Sequence, residues 1–138
     1  MAVPGSSDAR LYYRCAYQRC LEAEFLLNGG YTTGAGYLAG YGIECILKSL
    51  IIESTTARER GEVLRSFRGN RAHDFEWLRE VYFEQGGARL TRDMIVAFNW
   101  ASLWSTDLRY SPRPLVPEDA KSFLGAARSI LVWADGRL

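Results

Sequence analysis

The chain has 138 residues, 48% hydrophobic and 24% charged, with a formal net charge of +1. That is the make-up of one globular domain long enough to bury a core, and it excludes a disordered tail or a low-complexity array. A charge so near neutral gives no global attraction to nucleic acid or to a membrane surface, so any anion site has to be a local patch.

Residues 1–7 lack the positive-then-apolar order of a secretory signal and are expected to form a flexible N-terminus ahead of a single domain spanning 8–135. Ser6 or Ser7 can cap a first helix from about Asp8 to Asn28, with Tyr13, Ala16, Cys20, Ala23 and Leu27 as its apolar seam. Gly29-Gly30 ends it, since glycine takes the left-handed C-cap conformation without penalty. Thr32 or Thr33 then opens a second long helix, and the short turn between them predicts an antiparallel pair.

The second helix, centred on Ala35 to Ile52, is the most apolar stretch of the chain. Gly36, Ala39, Gly40, Ile43, Leu47 and Leu50 share one face. Glycine inside a helix costs about 1 kcal/mol relative to alanine, so Gly36 and Gly40 are expected to let a neighbouring helix approach closely. A second stripe carries Tyr37, Tyr41, Glu44 and Lys48, the last two in the favourable i,i+4 order for an ion pair. Glu44, Lys48 and Ser49 interrupt the apolar run, so no membrane span and no membrane partner are expected.

From Ser54 to Arg71 the character changes: Arg58, Arg60, Arg65, Arg68 and Arg71 are answered only by Glu59 and Glu62. A short helix is expected near Ala57 to Phe67, with a loop at Gly69-Asn70. The segment reads either as a solvated face or as an anion-binding patch. Phe75, Leu78, Val81 and Tyr82 then share a helical face behind Asp74, which suits a helix N-terminus. Thr91 caps a further helix to about Trp104, with Met94, Ile95, Phe98, Ala101 and Leu103 as its apolar content. Pro112, Pro114 and Pro117 predict an extended connector, and Pro117 also starts a last helix carrying Ala120, Phe123, Ala127, Ile130, Leu131 and Trp133. No segment alternates with the period of a strand. The fold class is an all-α bundle of five to six helices with a long antiparallel pair in its N-terminal half.

Cys15, Cys20 and Cys45 form no CxxC pair and His73 is the only histidine, so no metal-ligand cluster and no cofactor site can be read. An odd number of cysteines without a signal points to reduced thiols and a cytoplasmic location.

The order of these motifs resembles the HEPN domain (higher eukaryotes and prokaryotes nucleotide-binding). Ala39-Gly40-Tyr41, Glu44 and Lys48 match its second-helix pattern, His73-Asp74-Phe75 its His-Asp-apolar helix start, and Trp104, Arg109 and Tyr110 its late Trp…Arg-Tyr stretch. The resemblance implies a HEPN-like bundle, a homodimer and a nucleotide- or RNA-binding module, with a nucleotidyltransferase partner in a toxin–antitoxin or defence system as its setting. It further implies a ligand site at Tyr41, Glu44, Lys48, Arg109 and Tyr110, where Lys48 and Arg109 would meet phosphate. The alternative for these residues is an internal ion pair of Glu44 with Lys48 or Arg109. Some members are metal-independent endoribonucleases with an Arg four to six residues before a His, a spacing that Arg68 and His73 meet. Histidine exchanges protons near neutral pH, and arginine can steady extra charge on phosphorus in the transition state. The remaining alternatives are that His73 only packs the start of its helix, and that the chain is a non-catalytic protein-interaction dimer.

Overall fold

Side-chain caps start three of the six helices. The structure, a computed structural model, describes residues 4–138 apart from Ala88, Leu103 and Ser105, and describes the backbone but not the side chains of Thr106 and Arg109. Helix α1 (Ser7–Asn28) begins where Ser6 Oγ accepts from the Ala9 N–H. Helix α4 (Phe75–Glu84) is capped by Asp74, which accepts from the N–H groups of Glu76 and Trp77, and α5 (Arg92–Ala101) by Thr91. Each cap satisfies N–H groups that have no partner within the helix. Helix α6 (Pro117–Asp135) has proline in its first turn, followed by Glu118 and Asp119. Helices α2 (Thr32–Ser54) and α3 (Arg60–Ser66) have no side-chain cap.

Helices α1 and α2 form the expected antiparallel pair. Ser49 Oγ donates to the Ala9 carbonyl at one end, Gly42 lies against Cys20 in the middle, and Gly34 lies against Leu26 near the turn. Between the two, Gly29 is right-handed and Gly30 takes the positive φ, +86°. Helix α6 packs across α1, α2 and α5, and α4 packs on α2. Among the described residues the chain contains no strand. Pro4 is buried and the Ser6 N–H donates to Glu53, while residues 1–3 of the N-terminal stretch lie outside the described residues.

Helix α2 opens at Thr32 as expected, and Thr32 Oγ1 donates to the Leu115 carbonyl (2.6 Å) while Thr33 Oγ1 accepts the Leu115 N–H (2.9 Å), tying the connector to α2. Three local expectations are corrected. The loop expected at Gly69-Asn70 is cut short, because Asn70–His73 forms a 3-10 turn leading into α4. Helix α5 stops at Ala101 rather than Trp104, and a second 3-10 turn, Thr106–Tyr110, opens the connector. Leu103, expected in the apolar content of α5, lies outside the described residues.

The third correction concerns the glycines of α2. No helix fills the notch at Gly36 and Gly40; side chains from the α5–α6 connector do. A Cβ on Gly40 would stand 2.0 Å from Trp104 Nε1, and one on Gly36 would stand 2.6 Å from Leu115 Cδ1. Trp104 lies flat in the notch, and its Nε1–H donates to the Tyr37 carbonyl at 3.0 Å. Leaving the helix at Ala101 is what frees Trp104 to reach across. The tight helix–helix approach falls instead at Gly42, whose added Cβ would stand 2.7 Å from Cys20 Sγ.

Helix α2 is long and apolar enough, by length and composition, to cross a membrane, and 78% of its most apolar window is buried inside the bundle. The cysteines are free. Burial pushes the Cys20 thiol up to about 11 and the Cys45 thiol up to about 12, so both stay protonated near neutral pH.

Two glycine-to-alanine changes should have opposite signs. Gly40→Ala forces Trp104 from its notch and should cost about 1–3 kcal/mol. Gly125→Ala, on the exposed side of α6 with nothing within 4 Å of the added Cβ, should stabilise by about 0.5–1 kcal/mol. Urea unfolding midpoints of the two variants against the parent check both.

Candidate functional site

The polar stripe of α2 runs into the bundle instead of along its surface. Glu44 is 4% exposed and Lys48 5% exposed, one turn apart. Lys48 Nζ donates to Glu44 Oε2 at 2.9 Å, which is the geometry the i,i+4 spacing predicts. The other oxygen, Glu44 Oε1, lies 2.7 Å from His73 Nδ1. One buried carboxylate therefore holds two basic side chains, one from its own helix and one from the 3-10 turn before α4.

Lys48 is enclosed on its remaining sides. Its ammonium stands 5.7 Å from the centroid of the Tyr12 ring on α1 and 5.3 Å from that of Phe67 at the end of α3. Tyr12 and Phe67 meet edge to face at 5.9 Å. Aromatic faces attract a desolvated cation, so this box offsets part of the cost of burying the ammonium. Burial raises the Tyr12 phenol, with the nearby Cys45 and Glu44 adding to the shift.

His73 is the exposed end of the arrangement. Its side chain is 46% accessible, against 6% for Glu44. With Nδ1 facing a carboxylate, the neutral ring carries its proton there, which leaves the Nε2 lone pair for a ligand. Tyr41 stands edge-on to the imidazole at 6.1 Å and to Trp104 at 5.2 Å, and Trp104 stacks on Phe75 at 5.1 Å. The aromatic cluster fixes the wall behind His73.

A cleft of about 330 Å³ opens on this wall, lined by His73, Asp74, Phe75, Arg79, Ser102 and Trp104 among others. The Arg79 guanidinium lies 4.8 Å from the centroid of Phe98, and its Nε is buried with no hydrogen-bond partner. Asp74, also in the lining, is engaged in capping α4. A smaller apolar crevice of about 70 Å³ lies beneath the connector, between Trp100, Trp104 and Leu115. Its lining carries one charged residue, Asp119.

The residues singled out in the sequence are thus divided. Glu44, Lys48, Tyr41 and His73 come together, with Lys48 enclosed as the internal ion pair rather than facing a ligand. Arg68 is exposed just past α3, and Arg71 is exposed in the same 3-10 turn as His73. Arg58 and Arg65 are exposed too, whereas Arg60 Nε turns back to the Ile52 carbonyl at 3.4 Å. Tyr110 is 74% exposed, and the Arg109 side chain lies outside the described residues. Sequence reasoning missed Arg79, Ser102 and the Tyr12–Phe67 box. Only the helical register of Arg79 with Phe75 and Tyr82 hinted that it faces inward. Among the described residues no group of three or more His, Cys, Asp or Glu is placed to hold a metal.

Compared with known proteins, the chain matches no family model, no curated protein and no solved structure.

Removing Glu44 leaves an ammonium buried without its counter-charge. Glu44→Ala should therefore cost about 3–5 kcal/mol in chemical denaturation, and adding Lys48→Met should recover most of that loss. A single-variant cost below about 1 kcal/mol would mean that the carboxylate does not hold the ammonium.

Proposed function

We propose that the chain is a HEPN-like module that binds a nucleotide or RNA at the His73 cleft and along the arginines beside it. The observation that carries this reading is the posture of His73: Glu44 engages one ring nitrogen, and the other is left for a ligand beside a cleft that Arg79 also lines. Arg68 and Arg71, exposed next to it in the chain, supply positive charge that would pair with phosphate. The resemblance at Ala39-Gly40-Tyr41, Glu44, Lys48 and His73-Asp74-Phe75 supports the same reading. It brings with it a dimer and, as the wider setting, a nucleotidyltransferase partner in a toxin–antitoxin or defence system. In this reading Lys48 serves the site from beneath, by holding the carboxylate that orients His73.

A second reading, metal-independent endoribonuclease, is favoured by the same free Nε2. A neutral imidazole fixed in that tautomer is a base suited to a ribose 2′-hydroxyl, and Arg68 would steady the phosphoryl charge.

Fluorescence anisotropy with a labelled oligoribonucleotide tests both. Affinity should fall steeply with salt. The Arg68→Glu/Arg71→Glu variant should bind at least about tenfold more weakly, with a log–log salt slope reduced by about 1–2. Absence of salt-sensitive binding to RNA or nucleotide at low ionic strength would overturn the binding reading. RNA cleaved in chelator by the parent but not by folded His73→Ala would establish the second reading, and RNA left intact would leave only the first.

A further inference from the structure

The crevice beneath the connector is a second recess, and its chemistry differs from that of the His73 cleft. Its volume is about 70 Å³, and it is lined by Trp100 of α5, by Trp104, Leu108 and Leu115 of the connector, and by Asp119 and Phe123 of α6. The inner walls are held from behind. Trp104 Nε1–H donates to the Tyr37 carbonyl at 3.0 Å, and its ring stacks on Phe75. Leu115 is fixed through its backbone by Thr32 and Thr33. Phe123 is buried, whereas Trp100 and Asp119 reach the solvent. A recess formed before its ligand arrives loses little conformational freedom on binding. Among the described residues Asp119 is the only charged one in the lining, and its carboxylate makes no salt bridge. Lys121, two positions on, pairs with Glu118 instead, at 3.6 Å.

We infer that this crevice binds a small organic cation, an alkylammonium head carrying N-methyl groups, with Asp119 as its counter-charge and Trp100, Trp104 and Phe123 around its methyl groups. Methyl groups on nitrogen spread the positive charge over an apolar surface and remove the N–H donors. Such a head therefore enters an apolar recess without leaving hydrogen bonds unmade. Aromatic rings attract it through their negative faces, and the carboxylate supplies the one full charge at the site. An anion is turned away by the same carboxylate, and a neutral apolar guest would cover Asp119 without pairing it. The volume, about twice the share of one water molecule in the liquid, admits a methylated head and is too small for a nucleobase. The rest of the ligand stays outside, past Trp100. Trp104 lines both this crevice and the His73 cleft, but the other residues named here belong to the crevice alone. The inference stands apart from the nucleic-acid reading and holds or fails without it.

Titration of the full chain with choline, read on the tryptophan indole N–H resonances, tests it. Choline should shift the Trp100 and Trp104 signals with a Kd of about 1 mM or tighter. Its neutral isostere dimethylbutanol, with carbon in place of nitrogen, should bind at least about tenfold more weakly. Asp119→Asn and Trp100→Leu, both at solvent-accessible positions, should each weaken choline at least about tenfold with helical circular dichroism retained. The acetylated amide of trimethyllysine carries the same head on a peptide unit. Tighter binding of it than of choline would assign the head to a methylated protein side chain, and weaker binding to a free small cation. An isostere as tight as choline, choline affinity unchanged in folded Asp119→Asn, or indole signals unmoved at about 50 mM choline would each overturn the inference.

Discussion

A carboxylate with almost no access to water has to be satisfied from within, and Glu44 is satisfied from two directions. Lys48 takes one oxygen from the same helix and His73 takes the other from the turn before α4. The interior is costly for any single charge, so Glu44 and Lys48 depend on each other: removing either leaves its partner buried without a counter-charge, whereas His73 is half exposed. The consequence reaches four elements. The ammonium lies between Tyr12 of α1 and Phe67 at the end of α3, and the imidazole ties the turn before α4 to α2. What the charge cluster specifies is the placement of those elements, more than the overall stability of the bundle.

The second determinant is the notch in α2. Gly40 leaves space in which the Trp104 ring lies, and that ring in turn supports Tyr41 and Phe75 behind His73. Two unlike devices, a buried ion cluster and a glycine slot, therefore converge on the same imidazole. A histidine so constrained turns one nitrogen to Glu44 and leaves its half-exposed ring in the wall of the cleft.

Helices, caps and the long pair were legible in the chain because they depend on neighbours in sequence. Ser6, Asp74, Thr91 and Pro117 act within their own first turns, and Glu44 and Lys48 meet because four residues make about one helical turn. The bond from Glu44 to His73 spans 29 positions, and the one from Trp104 to the Tyr37 carbonyl spans 67. Contacts of that range depend on how one helix slides and rotates against another, which no local periodicity encodes. Thr32 opens α2 as its sequence suggested, but the bonds of Thr32 and Thr33 to the Leu115 backbone, 83 and 82 positions away, could not be read from the chain.

The central claim is that Glu44 orients His73 and selects its tautomer. Long-range ¹H–¹⁵N correlation spectroscopy of the imidazole, recorded where the ring is neutral, tests this directly. The proton should reside on Nδ1, with Nε2 showing the shift of an unprotonated nitrogen, and the preference should be lost in folded Glu44→Gln. A ring protonated on Nε2 in the parent, as in a free histidine side chain, would contradict the account.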